Sequence, residues 1–178
     1  LKNVDGTTGM AKTSVDTLND GTPITYEELL DLNAYINVHV GSSFVAQVDI
    51  GQNELTGEQE QYALNEVGDS GVTGMATFQK RKNGNALVTI SLEGTQDGGD
   101  HPAHIHANDA ASGGGIVVDL KNVAGATGRS MTSVSQKRDG SAVTYDDLIG
   151  FDGHLNVHLS PTQLNVQIVQ GDIGSNAQ

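Results

Sequence analysis

The chain contains no cysteine and no tryptophan, aromatic residues make up only 4% of it, and proline occurs three times. Without thiols there can be no disulfide framework, no thiolate metal site and no cysteine nucleophile. With so few aromatics the core has to be aliphatic, drawn from Val, Ile, Leu and Ala within a hydrophobic share of 36%, which suits thin β-sheets. Bases are also scarce. Nine Lys and Arg face 22 Asp and Glu, and the formal charge of −13 repels nucleic acid phosphates and anionic headgroups, which excludes nucleic acid as a partner. No apolar run approaches the roughly 20 residues of a membrane-spanning helix. No basic-then-apolar signal opens the chain, but it begins on Leu1, so an upstream segment is expected, whether a targeting signal or a lipid anchor. The catalytic signatures Gly-x-Ser-x-Gly, His-Glu-x-x-His and the P-loop are missing, and no pair of carboxylates stands out for glycoside hydrolysis.

What is abundant is glycine, 23 residues, often beside Asn or Asp as in Asn83-Gly84 and Asp139-Gly140. These are turn dipeptides that tolerate positive φ. Between them lie short alternating segments. Val72 to Gln79 and Ala86 to Glu93 read as a hairpin about Asn83-Gly84, with Ala76 and Phe78 on one face of the first strand and Ala86, Val88, Ile90 and Leu92 on one face of the second. Ala103 to Ala107, Ile116 to Leu120, His154 to Leu159 and Asn165 to Gly171 supply further strands. The expected fold is all-β, built of antiparallel β-sandwich units with one short helix each. The helices are predicted after Thr25 and Thr144, each followed three residues later by an acid in capping-box spacing.

The chain also repeats itself. Leu1-Lys2-Asn3-Val4 matches Leu120-Lys121-Asn122-Val123, and the same offset of 119 places PITYEELL against AVTYDDLI and YINVHV against HLNVHL, so that His39 falls opposite His158. The register then slips to 123 for VAQVDIG against IVQGDIG, which puts four extra residues into the loop of the second copy. Nothing in the first copy corresponds to Gln59 to Asp119. Residues 1–55 therefore read as the C-terminal half of a first unit and 56–178 as a complete second one, joined by a polar linker from Gln52 to Gly57. A half sandwich would expose its inner face and unpaired edges, so its complement is expected from upstream sequence or another chain.

Five of the six histidines fall in two places, His101, His104 and His106 together and His154 with His158. Side chains two apart on a strand share a face, so His104 and His106 point one way, as do His154, Asn156 and His158. If these strands neighbour each other, His104, His106 and His158 can converge as a zinc or copper site, with His101 and His154 as weaker candidates. Asp100, Asp109 or Asp119 would close such a site, and an open fourth position would permit catalysis. The alternative is that the histidines only hydrogen-bond to backbone. Because imidazole binds metal only when neutral, affinity should fall steeply below about pH 6. Calcium ranks lower, since the loop from Asn108-Asp109 to Gly113-Gly114-Gly115 lacks the acid spacing of an EF-hand, and Gly113 to Gly115 reads as a flexible turn. The first copy has Tyr35 in place of His154, and His39 lacks His-x-His mates.

The run HPAHIHAND from His101 to Asp109, the Gly-rich turn, the strands IVVDL and LNVHL and the closing VQGDIG resemble the CHRD domain, a family named after chordin and found in secreted and surface-anchored bacterial proteins. The resemblance covers Gln59 to Ser175 and half a unit from Leu1 to Asn53. Doubled units are similar to surface lipoproteins of the Bacteroidetes type, which implies an extracytoplasmic place at the outer membrane or cell surface, held by an upstream lipid anchor, with protein partners in a surface assembly. The resulting expectation is a noncatalytic surface module that binds a transition metal through its His cluster. Two others stand beside it: a metal-free structural subunit of an outer-membrane complex, and a redox or hydrolytic metalloenzyme.

Overall fold

The computed structural model describes residues 3–41 and 43–177. Leu1 and Lys2, the first half of the LKNV repeat, lie outside them. The chain divides into two compact units, Leu1–Leu55 and Thr56–Gln178.

In the first unit Thr25 caps the helix α1 (Tyr26–Asp31), accepting from the Glu28 amide while the Glu28 carboxylate accepts from the Thr25 amide. This reciprocal pair satisfies two of the donors a helix start leaves open. Strands β1 (Asn33–Val40) and β2 (Ser43–Gly51) then form an antiparallel hairpin, with Asn37 opposite Gln47 and a bulge between Val38 and His39. Among the described residues of this unit, Ile24 is the sole buried apolar side chain, while Val4, Val15, Tyr35, Ile36, Val40, Val45 and Val48 are exposed.

The second unit holds the remaining strands: β3 (Leu55–Glu66), β4 (Thr73–Arg81), β5 (Ala86–Glu93), β6 (Asp100–Ala107), β7 (Ile116–Ala124), β8 (Arg129–Val134), β9 (Asp152–His158) and β10 (Gln167–Gly174), with α2 (Tyr145–Ile149) between β8 and β9. They close into a barrel in the order β10-β3-β4-β5-β8-β7-β6-β9. This differs from the two packed sheets of the expected sandwich. Both architectures alternate apolar and polar residues along antiparallel strands, and the difference lies in β9, which pairs with β10 on one side and β6 on the other and leaves no edge. The second half of the segment read as a linker is strand, since β3 starts at Leu55.

The barrel is filled by Leu64, Ala76, Phe78, Val88, Ile90, Ala103, Ile105, Leu155, Val157, Val169 and Ile173, with Tyr62 edge-on to Phe78 at 5.2 Å between ring centres. Phe78 is the bulkiest of the fully buried side chains, and aliphatic groups do the rest of the filling, as the composition requires. Each Val, Leu, Ile or Phe among them contributes about 1.5–3 kcal/mol on burial. The Asn83-Gly84 turn forms as read: Gly84 takes φ +81°, and the Asn85 amide donates to Asn83 Oδ1 at 3.0 Å. Where the backbones touch, glycine is obligatory. A Cβ on Gly171 would sit 2.1 Å from the Ala63 carbonyl oxygen.

Candidate metal centre

Alternation on β6 and β9 sends Ala103, Ile105, Leu155 and Val157 into the barrel. It therefore sends His104, His106, His154, Asn156 and His158 to the outside. The β6–β9 register sets His104 opposite Asn156 and His106 opposite His154, with His158 diagonal to His104. This outer face is nonetheless covered. His154 and His158 are buried and Asn156 is 0% exposed.

Three histidines converge. His158 Nε2 lies 3.1 Å from His104 Nδ1, and ligand nitrogens of His104, His106 and His158 all lie within 4.8 Å of one another. Metal–nitrogen bonds of about 2.0–2.1 Å in a tetrahedron need nitrogens about 3.3 Å apart, so a small closing movement seats an ion. His101 and His154 contribute no nitrogen to this cluster.

The nitrogens not aimed inward show why the rings are oriented so. His106 Nδ1 lies 2.9 Å from the Gly114 carbonyl. A carbonyl only accepts, so that nitrogen carries the proton; in the neutral ring Nε2, buried and without a partner, is then a lone pair. His104 turns its Nε2 towards Asp119 Oδ1 at 3.8 Å, and Asp119 in turn faces Arg138 Nε at 3.6 Å. His158 Nδ1 is buried beside the Leu164 backbone, with no well-formed hydrogen bond. An acceptor behind a ligating imidazole fixes its tautomer and raises its basicity towards a metal.

Burial pushes His158 down to about 4, helped by the charges that His104 and His106 would carry and opposed by the Leu164 backbone. His104 is also lowered, first by burial and then by His106 and Arg138, against the pull of Asp119. At neutral pH both rings are uncharged, the form that coordinates metal.

The other candidates have structural partners. His101 Nδ1–H donates to the Leu159 carbonyl at 2.9 Å and reaches that of His158 at 3.2 Å, while its Nε2 packs so closely on Gly99 that a Cβ there would be 2.3 Å away. His154 Nδ1–H donates to the Asn108 carbonyl at 2.8 Å, and its ring stacks on His106 at 5.1 Å. Asp100 accepts from the Asn122 amide, and Asp109 holds its own turn through Ala111 and Ser112. Of the three acids, Asp119 alone adjoins a triad ring. His39 belongs to the first unit, on β1 opposite Phe44.

Sequence reasoning missed the supports. The loop 108–115, of which Gly113 to Gly115 reads as a flexible turn, is pinned: Asn108 takes φ +63°, its amide group donates to Gly113, the Ala110 amide donates to Asp172 Oδ1 at 2.7 Å, and a Cβ on Gly114 would strike the Ala107 carbonyl. Its carbonyls, from Asn108 and Gly114, orient His154 and His106. The second cover is the loop 159–166, held by the Leu159 amide on Val166. This loop contains the four-residue insertion that broke the repeat register, the one sequence signal that pointed to it. Asn156, whose Oδ1 and Nδ2 both lack partners, was noted only as a neighbour on the strand.

The family model of the CHRD domain matches residues 52–173, more than half of the chain and nearly the whole barrel unit. The chain belongs to the CHRD domain family. No curated protein and no solved structure matches it. Within the CHRD match lie all three histidines of the triad, both covering loops and Asn156. Among the described residues no helix is long and apolar enough to cross a membrane.

Proposed function

We propose that this chain is a noncatalytic extracytoplasmic CHRD module that binds zinc or copper through His104, His106 and His158, and that it serves as an accessory protein at the outer membrane or cell surface. The observation that carries the metal reading is the convergence of the triad, with each outward-turned nitrogen set near a backbone group or a carboxylate. Imidazole donors suit both ions. The ion would tie β6 to β9, and with them the loops 108–115 and 159–166.

Residues 1–55 are the C-terminal half of a second such unit. Matched features support this: the bridges Thr17 to Pro23 and Gln136 to Ala142, the two capping boxes, and the positive-φ Gly51 and Gly174, whose Cβ positions would collide with Leu32 and Phe151 carbonyls. The CHRD resemblance and the acidic surface, which favours solubility, support an extracytoplasmic place among protein partners.

Metal analysis of untagged protein is the test. Near-stoichiometric zinc or copper is expected, with affinity falling about 100-fold or more in His104→Ala and His158→Ala. Protein that takes up neither ion at neutral pH would leave the module a structural or interaction subunit. Release of the protein from intact source cells by surface proteolysis tests its location.

A further inference from the structure

A buried amide with neither of its polar atoms paired is costly, of the order of a few kcal/mol. Asn156 is such a group. It is 0% exposed, and both Oδ1 and Nδ2 lack a partner in the protein. Its position is specific: it shares the outer face with His154 and His158 two residues to either side, and the register sets it directly opposite His104. His106 lies opposite His154, one step further along, and His158 one step the other way. On the sheet, Asn156 thus sits across the His106–His158 diagonal from His104, at the fourth corner of a quadrilateral whose other three corners are the triad residues. The triad supplies three nitrogens, one fewer than a tetrahedral ion takes.

We infer that the centre is open, and that its fourth position takes a small exchangeable ligand, water, hydroxide or a small anion, held by a hydrogen bond from Asn156 Nδ2. The inference rests on the metal reading above and adds the ligand class to it. The amide donates to a negative or lone-pair atom on the metal, which compensates its burial, while Asp119 stands at the far nitrogen of His104 rather than inside the triad. The side chain of His104 retains 12% exposure and that of His158 is buried, so access is narrow and favours ligands of a few atoms. An open position also gives the ion something to present to a partner, which a closed structural site does not have.

The test uses the full chain, stripped with EDTA and loaded with one equivalent of Co2+ or Cu2+, and titrated with azide while the charge-transfer absorption and, for copper, the electron paramagnetic resonance spectrum are followed. Saturable azide binding is expected in the native chain. Asn156→Ala should weaken it at least tenfold with metal stoichiometry unchanged. Asn156→Asp, isosteric and with its buried charge offset by the bound ion, should keep the metal and lose the azide response, because its carboxylate repels the anion. A chain that binds one metal ion but ignores azide, or an Asn156→Ala protein that binds azide like the native chain, overturns the inference while leaving the metal site standing. Loss of the metal itself in Asn156→Ala would make Oδ1 a metal ligand and also overturns it. A native chain that binds no metal ends both readings.

Discussion

Asp119 and the Gly114 carbonyl touch two of the triad rings from behind, and they differ in how a substitution can reach them. Asp119→Asn keeps the shape and removes the charge near His104 Nε2, so metal affinity should fall about 10-fold to 100-fold, the usual effect of an outer-shell carboxylate, with fold stability nearly unchanged. Competition against a chromophoric chelator measures it, and an unchanged affinity would remove Asp119 from the centre. The burial of His158 has its own signature in metal-free protein. Its value of about 4 lies below the ordinary 6.5, so the unfolded chain takes up a proton that the folded chain refuses. The stability this contributes is intact above about pH 6.5 and declines as the pH drops towards 4, below which this residue causes no further loss. The full difference corresponds to about 3.4 kcal/mol, and partial solvent screening reduces it to about 2 kcal/mol. Urea unfolding of EDTA-treated protein at pH 7 and pH 4.5, compared with His158→Gln, isolates it. The same depression carries metal retention to lower pH than the fall near pH 6 expected of ordinary imidazoles.

At the scale of elements, the two capping boxes are chemically alike, but their helices are not. α2 buries its own Tyr145 and Leu148, whereas α1 buries none of its side chains. Thr144→Ala should therefore cost about 1 kcal/mol of barrel stability, read as a shift in urea midpoint, and Thr25→Ala should leave that transition where it is. Caps, the β4–β5 hairpin and the face carried by each strand were legible because they are set by spacing within a few residues. Phe78 and Ala76 point inward, as alternation required. Barrel closure was not legible, because it depends on which strands meet at β9, and that is decided by packing far apart in sequence. The triad was half legible. His-x-His and Asn-Val-His fixed the shared faces, but only the β6–β9 pairing made them adjacent. Backbone carbonyls leave no trace in residue identity, so the role of Gly114 could not be read. The four-residue insertion could have drawn attention to the loop 159–166, since an added segment beside a candidate ligand tends to cover it.

On the scale of the whole molecule, the two units differ in how their hydrogen bonds are protected. Every strand of the barrel has neighbours on both sides, and its core is shielded from water. Among the described residues of the first unit, β1 and β2 have only each other and Ile24 is the one buried apolar side chain, and an isolated two-stranded hairpin is marginal in water. Hydrogen exchange followed by mass spectrometry should therefore separate them. Amides of β5, β6 and β9 are expected to open only with the global unfolding of the barrel, and those of β1 and β2 to exchange orders of magnitude faster. Binding of metal should slow exchange in β6, β9 and the loops 108–115 and 159–166, and leave β1 and β2 unaffected, because linkage stabilises only the unit that holds the ion. Protection of β1 matching that of β9 would show that a further strand completes the first unit, and His39, in the position of His158, would then stand where a second triad could assemble.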